Sequence, residues 1–370
     1  MARPAQDVLI IGAGAIGCSI AWRLARAGLT VTLVERTRPG AEASSAAAGI
    51  LSAQAEAEED GVFFSLLSRS ERLYGEFVRE LEERTRGDLG HGALGLLEVA
   101  FDEAEEERLA RKLAWQRRAG CAVEALDAGA VRQLEPNLGE EIGRALFFPE
   151  AARIDPPRLV QALWDCAREV GCRWIQGEAR SLRLEGGRVA GVELRDGPLE
   201  APVVVVAAGA WSALIAGIGL DPGAIRPLRG QLARLEADPL PMQRILFGAG
   251  GYLVPHREGR LVVGSTMEDV GYDKSVTAPA LELLLARAAR LCPSLARRPV
   301  GALWAGLRPM TRDGHPALGP VPGVPGLHLA VGHGRNGILL TPATAEIVAL
   351  GILGSPPELP EALAAARLFG

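Results

Sequence analysis

Residues 8–35 read VLIIGAGAIGCSIAWRLARAGLTVTLVE, and the order of residue types in this stretch decides the fold. Val8 to Ile11 is a short apolar run preceded by Asp7 and ended by Gly12, the pattern of a strand buried on both faces. A helix is expected over about Ala15 to Ala27, closed by Gly28, and a second strand over Leu29 to Val34. Strand, glycine turn, helix and strand make a complete βαβ unit.

Gly12-Ala13-Gly14-Ala15-Ile16-Gly17 falls between the strand and the helix, the context that makes GxGxxG specific for a dinucleotide. Gly12 permits the tight turn, Gly14 lets a pyrophosphate approach the backbone, and Gly17 allows close helix packing. The helix start supplies unpaired N–H groups and a positive dipole end. Glu35 closes the second strand, where it would accept hydrogen bonds from ribose hydroxyls. Arg36 offers a seat for a 2′-phosphate, but Glu35 beside it would repel one, so FAD ranks first, NAD second and NADP third. Downstream, Ala43 to Ile50 reads ASSAAAGI. Such small residues suit close packing against a flat group and equally suit a flexible linker.

The rest of the chain narrows the class. Its 370 residues allow about two to three domains. With 40 Lys+Arg against 45 Asp+Glu, the net charge of -5 and the absence of a basic block argue against nucleic acid as a partner. Only Lys112 and Lys274 are lysines, so arginine is common and a single Arg needs its position to argue for it. Cys18, Cys121, Cys166, Cys172 and Cys292 form no CxxC, and the five histidines form no HExxH. Reduced thiols in the cytoplasm and no metal site are therefore expected. The N-terminus has no uncharged core long enough for a signal peptide. The uncharged run between Glu200 and Asp221 reads as the strand Val203 to Val206 followed by a turn, not as a membrane span, because Gly209, Gly217 and Gly219 interrupt it.

Between Phe63 and Leu126 lie two charged amphipathic stretches, and the acid run Glu103 to Glu107 reads as solvated helix surface. Asp155-Pro156-Pro157 marks a helix start, and alternating strands follow through Gly186-Gly187. Strands over Gly251 to Pro255 and Arg260 to Gly264, a helix near Ala278 to Leu291, and a strand over Leu327 to Val331 complete the reading. The expected class is α/β with an α+β second domain. A Rossmann-like nucleotide-binding domain formed by 1–80, 146–222 and 300–370 carries an inserted antiparallel-sheet substrate domain formed by 81–145 and 223–299.

Several strings in order resemble one family. GAGAIG with Glu35-Arg36, SSAAAGI from Ser44 and VVAAGAWS from Val205 are joined by YLVP from Tyr252, GRLVVGSTM from Gly259, WAGLRP from Trp304 and GHGRNGILL from Gly332. Together they resemble the glycine oxidase branch of the D-amino-acid-oxidase-like FAD-dependent oxidoreductases, linked to thiamine biosynthesis, over essentially the whole chain. The resemblance implies non-covalent FAD held by Gly12, Gly14, Ala15, Ile16, Gly17, Glu35, Arg36, Ser44, Ser45, Ala48, Gly49, Ile50 and Ala179. It adds the loop His333, Gly334, Arg335, Asn336, Gly337, Ile338 and Leu339. A final helix beginning between Gly337 and Pro342 would direct its N-terminus at the flavin.

The resemblance also implies that Arg308 binds a substrate carboxylate, with Tyr252 as a hydroxyl donor, Arg335 near the same site, and Ile50 and Met267 in the substrate pocket. The implied reaction takes a hydride from the substrate α-carbon to flavin and gives an imine that water hydrolyses, with molecular oxygen as acceptor and no acid-base dyad. His333 reads as a flavin-loop residue. Related sarcosine oxidases attach flavin through a cysteine and use a lysine near it, whereas here no cysteine lies between Trp304 and Arg335 and Met267 stands at the lysine position. Gly250-Gly251 replaces a commoner polar residue before the tyrosine, and Ile50 a commoner methionine, so glycine, sarcosine and small D-amino acids all remain expected substrates. Two other readings stay open: a D-amino acid dehydrogenase passing electrons to a quinone, and a non-catalytic flavin-binding subunit. A homo-oligomer without membrane attachment is expected from the likeness.

Overall fold

The computed structural model describes residues 6–369. The residues before Gln6, which the N-terminal reading included, lie outside that range. Val8–Ile11 is the strand the apolar run predicts, and its four side chains are buried. It pairs in parallel with Val31–Glu35 on one side and Val203–Val206 on the other. From edge to edge the sheet runs Ala317–Pro320, Leu327–Val331, Val203–Val206, Val8–Ile11, Val31–Glu35 and Arg173–Gln176. All neighbours are parallel except the first pair.

The helix between the first two strands spans Ala15–Arg26. Its apolar face, with Trp22 and Leu24 buried, packs on helices Pro156–Glu169 and Thr341–Ile352. Pro156–Glu169 begins where Asp155-Pro156 predicts: the Asp155 carboxylate accepts from the Arg158 N–H at 3.3 Å, a cap worth about 1 kcal/mol. The long helix Val62–Thr85 covers the same side, so one apolar core fills the space between this sheet face and four helices. The opposite face is covered by the three-stranded meander Ala179–Glu185, Arg188–Leu194 and Gly197–Glu200. Its first turn is Gly186-Gly187, both at positive φ, as a two-residue hairpin requires.

The second sheet has eight strands in the order Val300–Met310, Arg226–Glu236, Arg260–Gly264, Gly251–Pro255, Ile245–Gly248, Leu96–Ala100, Arg144–Phe148 and Glu124–Asp127. Neighbours are antiparallel save one: Ile245–Gly248 runs parallel to Leu96–Ala100, so the expected antiparallel sheet is mixed. Helix Ala278–Leu291 packs on it through Leu284, Ala288 and Leu291.

Two of the expected boundaries fall inside elements, and a third separates a strand from its partner. Residue 80 lies within Val62–Thr85, residue 146 within Arg144–Phe148, and residue 300 opens a strand that pairs along its whole length with Arg226–Glu236. The two strand pairings are non-local, and local composition carries no sign of them.

Among the described residues no helix is long and apolar enough to cross a membrane. The run after Glu200 is the strand Val203–Val206 followed by the short helix Gly209–Leu214.

Candidate active site

A cleft of about 1070 Å³ runs from the glycine turn of the first sheet to the face of the second, larger than most small-molecule pockets. At its first end, Gly12 has φ +103°, and a Cβ there would stand 2.4 Å from the Ala207 carbonyl oxygen. A Cβ on Gly17 would stand 1.9 Å from the Gly12 oxygen, so Gly17 serves packing and does not line the cleft. Gly14 and Ile16 do line it.

The helix N-terminus is less open than the motif implies. The Ala15 N–H donates to Ser44 Oγ at 3.0 Å, which leaves the Ser44 hydroxyl hydrogen directed elsewhere. Ala15 thus reaches the cleft through Ser44. Glu35 lies at the strand end, where Oε2 accepts from the Ala13 N–H and Oε1 from the Thr37 N–H, each at 3.1 Å. These bonds hold a carboxylate at the cleft edge with lone pairs still available. The Arg36 guanidinium sits 4.6 Å above the Trp211 ring and pairs with Glu42 at 3.1 Å.

The small-residue run is wall, not linker. Ala43–Ala46 is a short helix, Ile50–Leu51 a strand, and Ser44, Ala48, Gly49 and Ile50 face the cleft. The run packs against strand Val300–Met310: Trp304 Nε1 donates to the Ala46 oxygen at 3.0 Å, and Gly306 has room only for hydrogen beside the Ala46 methyl. His256 Nε2 bonds the Ala48 oxygen at 3.1 Å from the other side, and burial pushes its pKa down to about 4. Ser45 is the one expected residue of this run that does not reach the cleft. Ala179 also lines the cleft.

His333, Gly334, Arg335, Gly337 and Ile338 line the cleft, whereas Asn336 and Leu339 are buried behind it. The loop is braced from below: Tyr74 Oη donates to the Ile338 oxygen at 2.7 Å and Ser70 Oγ to the Leu339 oxygen at 2.6 Å. His333 Nε2 shares a hydrogen bond with Thr344 Oγ1, and burial lowers its pKa to about 3, so the ring is neutral and held away from base chemistry. The helix after this loop starts at Thr341, within the expected range.

The far end carries the substrate-type residues. Arg308 Nη1 donates to the Thr266 oxygen at 3.0 Å and Nη2 to Ser265 Oγ at 2.6 Å. Two of its five N–H groups are thereby used, and among the described residues no carboxylate pairs with it. The guanidinium lies on Gly230, where a Cβ would stand 2.3 Å from Nη2, and the Tyr252 ring lies on Gly264 in the same way at 2.2 Å. Burial raises the Tyr252 pKa against the opposing pull of Arg308 and Ser265, so the phenol stays protonated as a donor. Ile50 and Met267 join this end, Met267 at the mouth with 56% exposure.

Arg335 also faces the cleft, but its Nε is 2.5 Å from Glu56 Oε2, so its charge is already matched, unlike that of Arg308. Sequence reading missed Ser265, Thr266, Gly230 and Gly264, which seat the clamp, and it missed Trp211, Arg287 and Glu56. The Ser265-Thr266 pair stood within a quoted string, but nothing local marks Gly230 or Glu56.

None of the five cysteines and neither lysine lines the cleft. A glycine cradle that a Cβ would fill, a carboxylate at the second strand end and a wall of small residues fit FAD, and the Arg308 guanidinium with the Tyr252 phenol at the other end suits a carboxylate. This architecture is that of a dinucleotide-binding oxidoreductase.

The chain belongs to the DAO family, FAD dependent oxidoreductases, which matches residues 7–350, and FAD is its cofactor. It is 37% identical to a glycine oxidase of Bacillus licheniformis over 96% of this chain and 95% of that protein. It is also 37% identical to the bifunctional protein ThiO/ThiG of a Nostoc species over 93% of this chain, which spans about half, 52%, of that relative. The crystal structure of glycine oxidase from Geobacillus kaustophilus superimposes with a TM-score of 0.94, at 34% identity and 98% coverage of both chains.

Proposed function

We propose that the protein is an FAD-dependent glycine oxidase that also takes sarcosine and small D-amino acids, yielding the 2-oxo acid, ammonia or methylamine, and hydrogen peroxide. The observation that carries this reading is the unpaired Arg308 guanidinium beside Tyr252, at the end of the cleft opposite the glycine turn. The Arg308 N–H groups not engaged by Thr266, Ser265 and Tyr252 remain for a substrate carboxylate, and each charge-assisted bond contributes about 1.5–3 kcal/mol. Tyr252 adds one donor, and the two together fix where the α-carbon lies. When bound, FAD supplies the hydride acceptor. No described residue at this end is poised as a base, so the substrate amine enters already neutral and the protein's part is orientation. Water then hydrolyses the imine product.

Gly12, Gly14, Ile16, Glu35, Arg36, Ser44, Ala48, Gly49, Ile50, Ala179 and the loop from His333 to Ile338 are read as the FAD-binding set. Ala15, Gly17, Ser45, Asn336 and Leu339 support them from behind. The six-stranded sheet is read as the cofactor unit and the eight-stranded sheet as the substrate unit. The bifunctional ThiO/ThiG relatives support a place in thiamine thiazole formation. Free thiols support a cytoplasmic protein, and the family likeness supports a homo-oligomer, which gel filtration would test.

The deciding experiment mixes the yellow holoenzyme with glycine without air, then readmits air and assays peroxide. Bleaching with recolouring and peroxide is expected. Bleaching without recolouring would replace the oxidase with a dehydrogenase, and no bleaching would remove glycine as substrate.

A further inference from the structure

The Tyr252 end of the cleft holds a second guanidinium that, among the described residues, has no carboxylate partner. Arg287, on helix Ala278–Leu291, lines the cleft and donates from Nη1 to the Ser265 carbonyl oxygen at 3.2 Å. Its side chain lies across Gly250-Gly251, where a Cβ on Gly250 would stand 3.1 Å from Nη2 and one on Gly251 3.3 Å from Cδ. Neither glycine carries a side chain that would displace it.

The other charged groups here are engaged by partners. Glu56 pairs with Arg335, Glu98 with Lys112 at 3.0 Å and Arg108 at 2.6 Å, and Glu105 accepts the Phe101 N–H at 2.7 Å. Arg287 has burial as the sole influence on its pKa, lowering it, with no carboxylate opposing. Glycine, with one carboxylate, answers Arg308 and leaves Arg287 unanswered. Both guanidinium groups bond Ser265, one at Oγ and one at the carbonyl, so their bonded nitrogens are on the order of 10 Å apart or less.

We propose that Arg287 is a second carboxylate anchor, and that the pocket takes a small amino acid bearing a carboxymethyl group on its nitrogen, iminodiacetate being the simplest. Such a substrate is symmetric: whichever carboxylate Arg308 holds, the same Cα–N bond is presented for oxidation. The Cα–H hydride and the N–H proton leave, O2 is reduced to hydrogen peroxide, and water adds across the C=N bond to release glyoxylate and glycine. This rests on the amino-acid oxidase reading above and deepens it.

Two ligands that cannot be oxidised at nitrogen separate the anchor from turnover. Diglycolate is the oxygen counterpart of iminodiacetate, and methoxyacetate keeps one carboxylate. Calorimetry on the flavin-loaded enzyme is expected to find diglycolate about ten-fold tighter or more. Arg287→Gln should bring that ratio near one, and Arg287→Lys should keep part of it. Methoxyacetate binding and retained flavin colour report whether a variant is folded. A ratio near one in the native enzyme, or one unmoved by Arg287→Gln, overturns the proposal. If Arg287→Gln does not fold, the native ratio and Arg287→Lys decide it. Failure of glycine to reduce the flavin would be a separate result that removes the oxidase reading.

Discussion

Arg308 and Ser44 each perform a task that the neighbouring backbone cannot. On the proposed role of Arg308, Arg308→Ala deletes at least two charge-assisted bonds to a carboxylate, so the KM for glycine should rise by about two orders of magnitude or more while the flavin absorbance stays. Steady-state kinetics with a visible spectrum checks both halves, and an unchanged KM would take Arg308 out of the site. Ser44→Ala leaves the Ala15 N–H without its acceptor and removes a hydroxyl from the cofactor wall. A loss of about 1 kcal/mol, roughly five-fold in FAD affinity, should appear on titrating the apoprotein with FAD. At this scale the sequence shows which residues carry functional groups and not which of them are already engaged. Arg335 and Arg308 look alike on the page, yet Glu56, 279 positions from Arg335, neutralises only one of them.

Elements were legible where their punctuation is local. Gly251–Pro255, Arg260–Gly264, Ala278–Leu291 and Leu327–Val331 occupy the spans their patterning predicts, because period-2 or helical spacing ends at Gly or Pro in each. The expected span 300–370 includes strand Val300–Met310, which pairs with Arg226–Glu236 in the eight-stranded sheet; that pairing is long-range, and nothing in its own eleven residues names it. The glycine turn gives a test at this scale. Gly12→Ala must tolerate φ +103° and a contact of 2.4 Å with Ala207, whereas Gly28→Ala, also at positive φ, meets nothing within 4 Å. Thermal melts should place Gly12→Ala at least about 2 kcal/mol below the native protein and colourless, and Gly28→Ala about 1 kcal/mol below it and yellow. Equal losses would show that close packing of the turn on Ala207 is unimportant.

The whole molecule carries a dependence on acid that follows from its braces. His256 and His333 are held neutral by burial, with pKa values near 4 and 3 in the fold against 6.5 for an ordinary imidazole. Neither affects stability above pH 6.5, and each costs stability as pH falls from 6.5 toward its folded value, because only the unfolded chain takes the proton. At pH 5.5 the pair should cost roughly 3 kcal/mol relative to pH 8. Glu71 works the other way: burial raises it to about 7, so its contribution is lost as pH rises from 4.5 toward 7. Denaturant titrations from pH 5 to 8 should show stability rising with pH, and more steeply in Glu71→Gln. A flat profile in both proteins would remove the histidines as its source. The order of strands in the six-stranded sheet has a consequence for synthesis. Val8–Ile11 leaves the ribosome early, but its neighbour Val203–Val206 is made about 200 residues later, some 10–40 s at usual elongation rates. For that interval the edge of Val8–Ile11 that will meet Val203–Val206 stays unpaired, so the sheet closes only after more than half of the chain has been made.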